Sequence, residues 1–295
     1  MNLSTTQKAF FAGAVCALRL SALAQPDDAS AAREIAKIDG EYSNLSVAKG
    51  MPAASVEYFA ADGVAFAPGP VNGKKYWAER TDFPGTLFWQ PIFAFAAGAA
   101  DLGYTTGMWE LKKGNEPLSL GFGHYVTVWA KQPKGQWKIA LDVGTENPQP
   151  TESSSNLQVL PPDVTAGTQP QENSQRSLRK AQRQFAQTAH NGIGKAILDY
   201  ASDDIRVYRN KSFPAVGLLA AKLMLTSEHS KVTFESGGSR MSKSGDLSYS
   251  YGNYAEERGN VVEHGIYLMI WRANMNGDWK LALNLQKNLP PAAKP

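Results

Sequence analysis

Two stretches of the chain alternate apolar and polar residues in the same way. "GHYVTVWAKQPKGQWKIALDV" (123–143) and "GIYLMIWRANMNGDWKLALNL" (265–285) match at a constant offset of 142, so that Trp129 falls on Trp271, Gly135 on Gly277 and Trp137 on Trp279. Alternation on both sides of a glycine-containing turn predicts two long strands joined as a hairpin. Ahead of each hairpin, "DLGYTTGMW" (101–109) and "DLSYSYGNY" (246–254) share a register in which Asp101 answers Asp246 and Gly107 answers Gly252. Tyrosine, threonine and tryptophan favour a strand, and a glycine at the same place in both predicts a bend or bulge. Further upstream, "EYFAADGVAF" (57–66) answers "DYASDDIRVY" (199–208), each a helix end turning into a strand. "PVNGKKYWAER" (70–80) answers "PAVGLLAAKLM" (214–224), each a proline, a glycine three residues on, and a helical pattern. The pattern predicts an internal duplication in α+β order, helices first and then antiparallel strands.

The first copy spans 31–146 and the second, divergent copy 176–287, with a disordered tail expected at 288–295. Residues 147–175 are rich in Pro, Ser, Thr and Gln, a composition that buries too little to fold, and predict a flexible linker. Residues 1–24 read as a secretory signal: Lys8, the apolar "AFFAGAVCAL", then "ALA" before Gln25. Cleavage after Ala24 predicts a periplasmic or secreted protein. It lowers the net charge from +3 to +1, because the segment carries Lys8 and Arg19 and no acid. It also removes Cys16, the only cysteine, leaving no disulfide, thiol nucleophile or cysteine metal ligand. Near-zero charge argues against a nucleic-acid partner, and no later segment has the length and apolarity of a membrane span.

Placing Trp129 opposite Trp137 sorts the first hairpin into two faces. Tyr125, Thr127 and Trp129 join Trp137, Ile139 and Leu141 on a core or pocket face. His124, Val126 and Val128 join Lys138, Ala140 and Asp142 on the other. In this register His124 opposes Asp142, and a carboxylate that orients an imidazole makes a general base. The plainer reading is a partly exposed ion pair worth a few tenths of a kcal/mol; Lys138 on the same face favours it. The second copy has Ile266 and Asn284 at the two positions. His190, His229 and His264 have no partner at metal-ligand spacing, so neither a metal nor a cofactor is expected.

"FAADGVAFAPGP", "NGKKYWAER", "FWQP", "DLGYTTGMW" and the closing hairpin together resemble the SnoaL-like, nuclear transport factor 2-like superfamily, in particular its secreted domains of unknown function. The resemblance covers about 31–146 and, through the repeat, 176–287. It implies two tandem cone-shaped domains of cystatin-like type, each with N-terminal helices on a curved antiparallel sheet and a pocket at the wide end. Members include ketosteroid isomerases, polyketide cyclases, epoxide hydrolases, dehydratases and non-catalytic binding or assembly domains. They often pair through the outer sheet face, which two copies can do within one chain or between chains. The isomerase-like pattern has a carboxylate base just before a proline. The matching residue here is Ala67, ahead of Pro68, and the second copy reads Val207-Tyr208-Arg209, again without a carboxylate. Tyr42 stands near the isomerases' helix-borne tyrosine, and no epoxide-hydrolase-like Asp-Arg-Asp set is evident. The expectation is therefore a binder of a small apolar or aromatic molecule, or of a partner protein, without catalysis. Tyr42, Trp89, Tyr104, Tyr125 and Trp129 are its pocket candidates. The alternatives are a lyase, isomerase or cyclase using His124 and Asp142 in the first domain, and a purely architectural role.

Overall fold

The computed structural model describes residues 29–114, 118–151, 156–163, 171–274 and 276–290; the expected signal segment, with Cys16, lies outside them. The first domain runs α1 (Ser30–Lys49), α2 (Met51–Tyr58), β1 (Phe59–Phe66), β2 (Pro70–Asn72), α3 (Gly73–Ala78), β3 (Thr86–Ala96), β4 (Leu102–Lys112), β5 (Ser119–Lys131) and β6 (Trp137–Asn147). After a short β7 (Gln158–Leu160), the second repeats that order: α4 (Gln171–Ala189), α5 (Ile193–Tyr200), β8 (Ala201–Arg209), β9 (Ala215–Val216), α6 (Leu218–Leu225), β10 (Lys231–Met241), β11 (Leu247–Arg258), β12 (Val261–Ala273) and β13 (Trp279–Asn288). The fold is α+β with two domains, as the sequence pattern implies. Among the described helices none is long and apolar enough to cross a membrane.

The sheets have matching orders, β2-β1-β6-β5-β4-β3-β7 and β10-β11-β12-β13-β8-β9. In each, the long strands meander antiparallel, and the strand after the second helix lies parallel to the last one, β1 on β6 and β8 on β13. Helix α1 buries Ala31, Ile35, Asp39, Tyr42 and Ser46, steps of three and four residues that make one stripe toward the sheet. Two bonds pin that stripe to β3: the Trp89 N–H donates to Ser43 Oγ at 3.0 Å, and Ser46 Oγ donates to the Leu87 carbonyl at 3.0 Å.

The repeated glycine is a bending device. Gly107 pairs with Pro91, and the register of β3 slips immediately afterwards, between Pro91 and Phe93. Gly252 pairs with Ser236, and β10 slips between Ser236 and Gly238. A Cβ on Gly107 would stand 1.9 Å from the Gln90 carbonyl oxygen, and one on Gly252 2.0 Å from that of Glu235. The neighbouring strand bulges into space that only glycine leaves free.

One face of each sheet receives its own helices, and the other two faces pack on each other. Phe93, Phe95, Tyr104, Val126 and Val128 of the first sheet share a core with Leu247, Tyr249, Leu268, Ile270 and Leu283 of the second. The turns at this seam exchange reciprocal bonds. The Gly98 N–H donates to Asp246 Oδ2 at 2.8 Å, and the Lys243 N–H donates to the Asp101 carboxylate at 3.2 Å. Asp101 and Asp246, matched in the repeat, each hold the other domain's turn.

Two boundaries differ from the sequence pattern. Within 147–175, Gln158–Leu160 adds a strand to the edge of β3, whose open backbone needs a partner, and α4 already begins at Gln171. At the other end, β13 continues to Asn288, and the Leu289 N–H is held by the His264 carbonyl at 2.8 Å. Residues 288–290 are thus part of the folded structure and not of a disordered tail.

Candidate functional site

The first hairpin does not take the register that faces Trp129 with Trp137. Trp129 pairs with Ile139 and Val128 with Leu141, so Ala140 is an extra residue and β6 bulges there. A bulge reverses the faces beyond it. Trp137 and Ile139 stay with the helices, Leu141 and Val143 turn to the seam between the sheets, and Asp142 turns inward. The same bulge recurs at Ala282, between the Trp271–Leu281 and Ile270–Leu283 pairs.

The pairing of His124 with Asp142 is therefore corrected. Asp142 lies opposite Thr127, whose Oγ1 donates to Asp142 Oδ1 at 2.6 Å. His124 lies opposite Thr145 on the other face, and its Nδ1 is 2.7 Å from Asn147 Oδ1. Burial lowers the His124 pKa. Its ring stands among Met108, Arg206, Tyr208 and Phe213 in a separate cleft between the domains.

Asp142 opens into a cavity of about 510 Å³ inside the first cone. Tyr42 and Met51 come from the helices, Phe66 and Pro68 from the end of β1 and its turn, and Tyr76 and Trp77 from α3. Trp89, Trp109, Tyr125 and Thr127 come from the sheet. The walls are mainly apolar and rich in aromatic rings, the usual lining of a small-molecule site with a few convergent polar groups. Trp109 is fixed across the strands, its Nε1 donating to the carbonyls of Thr145 at 3.1 Å and His124 at 3.2 Å.

Behind this wall lies a second carboxylate. Asp39, on the buried stripe of α1, is wholly enclosed. Its Oδ1 accepts from Trp89 Nε1 at 2.9 Å and its Oδ2 from the Tyr125 hydroxyl at 2.6 Å. Burial raises the Asp39 pKa to about 6, against the lowering effect of the Tyr125, Trp89 and Thr105 hydrogen bonds. Burial, reinforced by the charge of Asp39, raises Asp142 further, to about 7, with only the Thr127 bond opposing. Asp39 thus braces the rings that line the cavity, and Asp142 faces its contents.

Of the five expected pocket aromatics, Tyr42, Trp89 and Tyr125 line the cavity. Tyr42 packs edge-on against Trp89 at 4.6 Å, with its hydroxyl 2.8 Å from Ser55 Oγ. Two others are corrected. Tyr104 alternates to the opposite face, packs on Phe93 and Phe95, and belongs to the seam between the sheets. Trp129 faces inward but is fully buried in the core, its Nε1 donating to Thr105 Oγ1 at 2.8 Å. Asp39 was not singled out from sequence, although a carboxylate on the apolar stripe Ala31, Ile35, Tyr42 is a readable signal. Among the described residues no three His, Cys, Asp or Glu side chains converge as a metal site.

The second domain treats the same positions differently. At the offset of 142, Thr127 becomes Met269 and Asp142 becomes Asn284. Asn284 Oδ1 accepts from Arg209 Nη1 at 2.8 Å, and Arg209 pairs with Glu228 at 3.0 Å. Phe185, Tyr200 and Trp271 pack there ring to ring at 5.6–6.0 Å.

No protein-family model and no curated protein matches the chain. Solved structures do. One is a ketosteroid isomerase-like protein from Erwinia carotovora atroseptica SCRI1043, 17% identical, aligned over 39% of this chain and 96% of its own, with a TM-score of 0.32. A second is an NTF2-like protein with a cystatin-like fold from Novosphingobium aromaticivorans, 12% identical over 41% of this chain and 86% of its own, with a TM-score of 0.33. A third is an NTF2-like protein of unknown function from Shewanella oneidensis MR-1, 11% identical over 38% of this chain and 98% of its own, with a TM-score of 0.32. These neighbours are NTF2-like and ketosteroid isomerase-like proteins, each spanning less than half of this chain.

Proposed function

We propose that the first domain binds a small, largely apolar ring compound and moves a proton to and from a carbon beside its carbonyl, with Asp142 as the base. The observation that carries this reading is a carboxylate on the wall of an aromatic cavity, held near pH 7 by burial. A general base works best when its pKa lies near the working pH, and such perturbed groups cluster at functional sites. In this scheme the Asp142 carboxylate takes the α-proton and the C–H electron pair passes onto the carbonyl oxygen as an enolate. The protonated acid then returns a proton to carbon. Tyr42 lines the same cavity from the helix side, and its hydroxyl is a donor for that oxygen when Ser55 donates in the bond between the two. Thr127 holds the carboxylate in place, and Asp39 holds Tyr125 and Trp89.

Ala67, ahead of Pro68, carries no carboxylate, which by itself favours binding without turnover. Asp142 supplies one from another strand. Binding alone stays as the second reading because the remaining walls are mostly apolar and both oxygens of Asp39 are already occupied. The test is deuterium uptake at the α-carbon of 2-tetralone, an apolar bicyclic ketone, in D2O. Wild type is expected to exchange it and Asp142→Asn to be slower by a factor of about 100 to 10,000. Saturable binding with no exchange in either protein supports binding alone. For the mature protein we propose a location outside the cytoplasm, on the strength of the N-terminal pattern and its cleavage site.

A further inference from the structure

The cavity of the first domain is not closed by the first domain. Buried Ile266 and residues 287–290 of the second domain complete its lining, with Asn288 and Pro290 exposed at the mouth. They arrive there because β13 stays paired with β12 as far as Asn288, beside Gly265, and Leu289 is tied to the His264 carbonyl. Lys287 is the cation among them. Its Nζ donates to the Gly144 carbonyl at 3.1 Å, two residues along β6 from Asp142, which is about 7 Å of strand. A lysine ammonium has three donors, and this contact uses one of them. Burial lowers the Lys287 pKa, and the charge of Glu146, exposed beside it, opposes that shift and favours the ammonium.

We infer that Lys287 is the second domain's contribution to the site and selects ligands that carry an anionic group, such as a carboxylate, at the end of the ring compound that lies at the mouth. This rests on the reading of the cavity as a ligand site. The ring lies against Trp89, Trp109 and Tyr125, the reacting carbon reaches Asp142, and the anion sits roughly one ring's length away at Lys287. The inference also gives the duplication a purpose. The second copy, with its own carboxylate position changed to Asn284, closes the first copy's cavity and supplies its cation.

The experiment compares 2-naphthoate with the isosteric but neutral 2-naphthamide, read by quenching of the cavity tryptophans and by calorimetry. Wild type is expected to prefer the anion by about tenfold, as a charge-assisted hydrogen bond does over a neutral one. Lys287→Gln keeps a donor for the Gly144 carbonyl and loses the charge, so the preference disappears while naphthamide affinity stays the same. Lys287→Arg keeps the preference. Urea midpoints confirm that both variants fold. Equal binding of the two probes by wild type, or a preference that survives Lys287→Gln, overturns the inference and leaves the ligand site standing. Failure of both probes to bind overturns the ligand site itself, and the inference with it.

Discussion

A carboxylate held near neutrality for function costs the fold stability, and Asp142 offers a clean measure of that cost. Its pKa is about 7 in the folded protein against 3.8 for a free carboxyl. Below pH 4 it is protonated in both states and has no effect. Between pH 4 and 7 the unfolded chain releases the proton while the folded one retains it, so stability falls as pH rises. Above pH 7 the full difference applies. The gap between 3.8 and about 7, at about 1.4 kcal/mol per pH unit, gives an upper value of about 4 kcal/mol. Asp142 is half-buried and faces the cavity, so water there reduces the figure to about 2–3 kcal/mol. Asp142→Asn removes the charge and keeps the acceptor for Thr127. The second domain already carries Asn284 at the equivalent place in the same bulged hairpin. The variant is therefore expected to be more stable than wild type by about 2–3 kcal/mol at pH 8 and equal to it at pH 4, in urea unfolding at several pH values. A gain independent of pH, or a loss of stability at pH 8, would refute the reasoning.

Other outcomes follow from the same geometry. Asp39→Ala leaves the Tyr125 hydroxyl and the Trp89 indole N–H unpaired in a buried site, and is expected to cost about 2–4 kcal/mol in urea unfolding and to weaken probe binding. Gly107→Ala and Gly252→Ala each drive a methyl into a neighbouring carbonyl, for an expected loss of about 3 kcal/mol or more apiece; near-neutral values would show that the bulges relax freely. Asp246→Ala removes the acceptor of the Gly98 N–H and of the Ser242 and Ser244 hydroxyls, and is expected to lower the urea midpoint by the equivalent of about 2–3 kcal/mol. His124→Gln, altered on the far face of β5, is expected to leave deuterium exchange unchanged. Amino-terminal sequencing of protein recovered from outside the cytoplasm is expected to begin at Gln25, and an intact Met1 would contradict the signal assignment.

The repeat, the element order and the bending glycines were legible because each is a local signal. Gly107 and Gly252 stand in matching registers, and matched sequence in one chain implies matched backbone. The site was legible only in part, and the reason lies in three residues. Strict alternation fails at Ile139-Ala140-Leu141 and again at Leu281-Ala282-Leu283, where three apolar side chains run together. A strand cannot bury all three on one face, and a bulge at the middle alanine sends its neighbours to opposite cores. Ignoring that break kept Asp142 on the His124 face and hid it from the cavity. Tyr104 went astray for a different reason. The seam between the two sheets is as apolar as a pocket wall, so an aromatic in β4 suits either face. The contribution of Lys287 is a tertiary fact: nothing local to 287–290 shows that the end of one domain covers the opening of the other.

The proposed chemistry requires Asp142 to be the group that accepts the proton, and the pH dependence of 2-tetralone exchange tests this most directly. The ketone does not titrate between pH 5 and 9, so an inflection there belongs to the protein. The rate per unit of free protein is predicted to rise through a single inflection near pH 7, where Asp142 loses its proton. In Asp142→Asn the inflection disappears together with the rate. Exchange that is flat across this range in wild type, or an inflection that persists in Asp142→Asn, would contradict it.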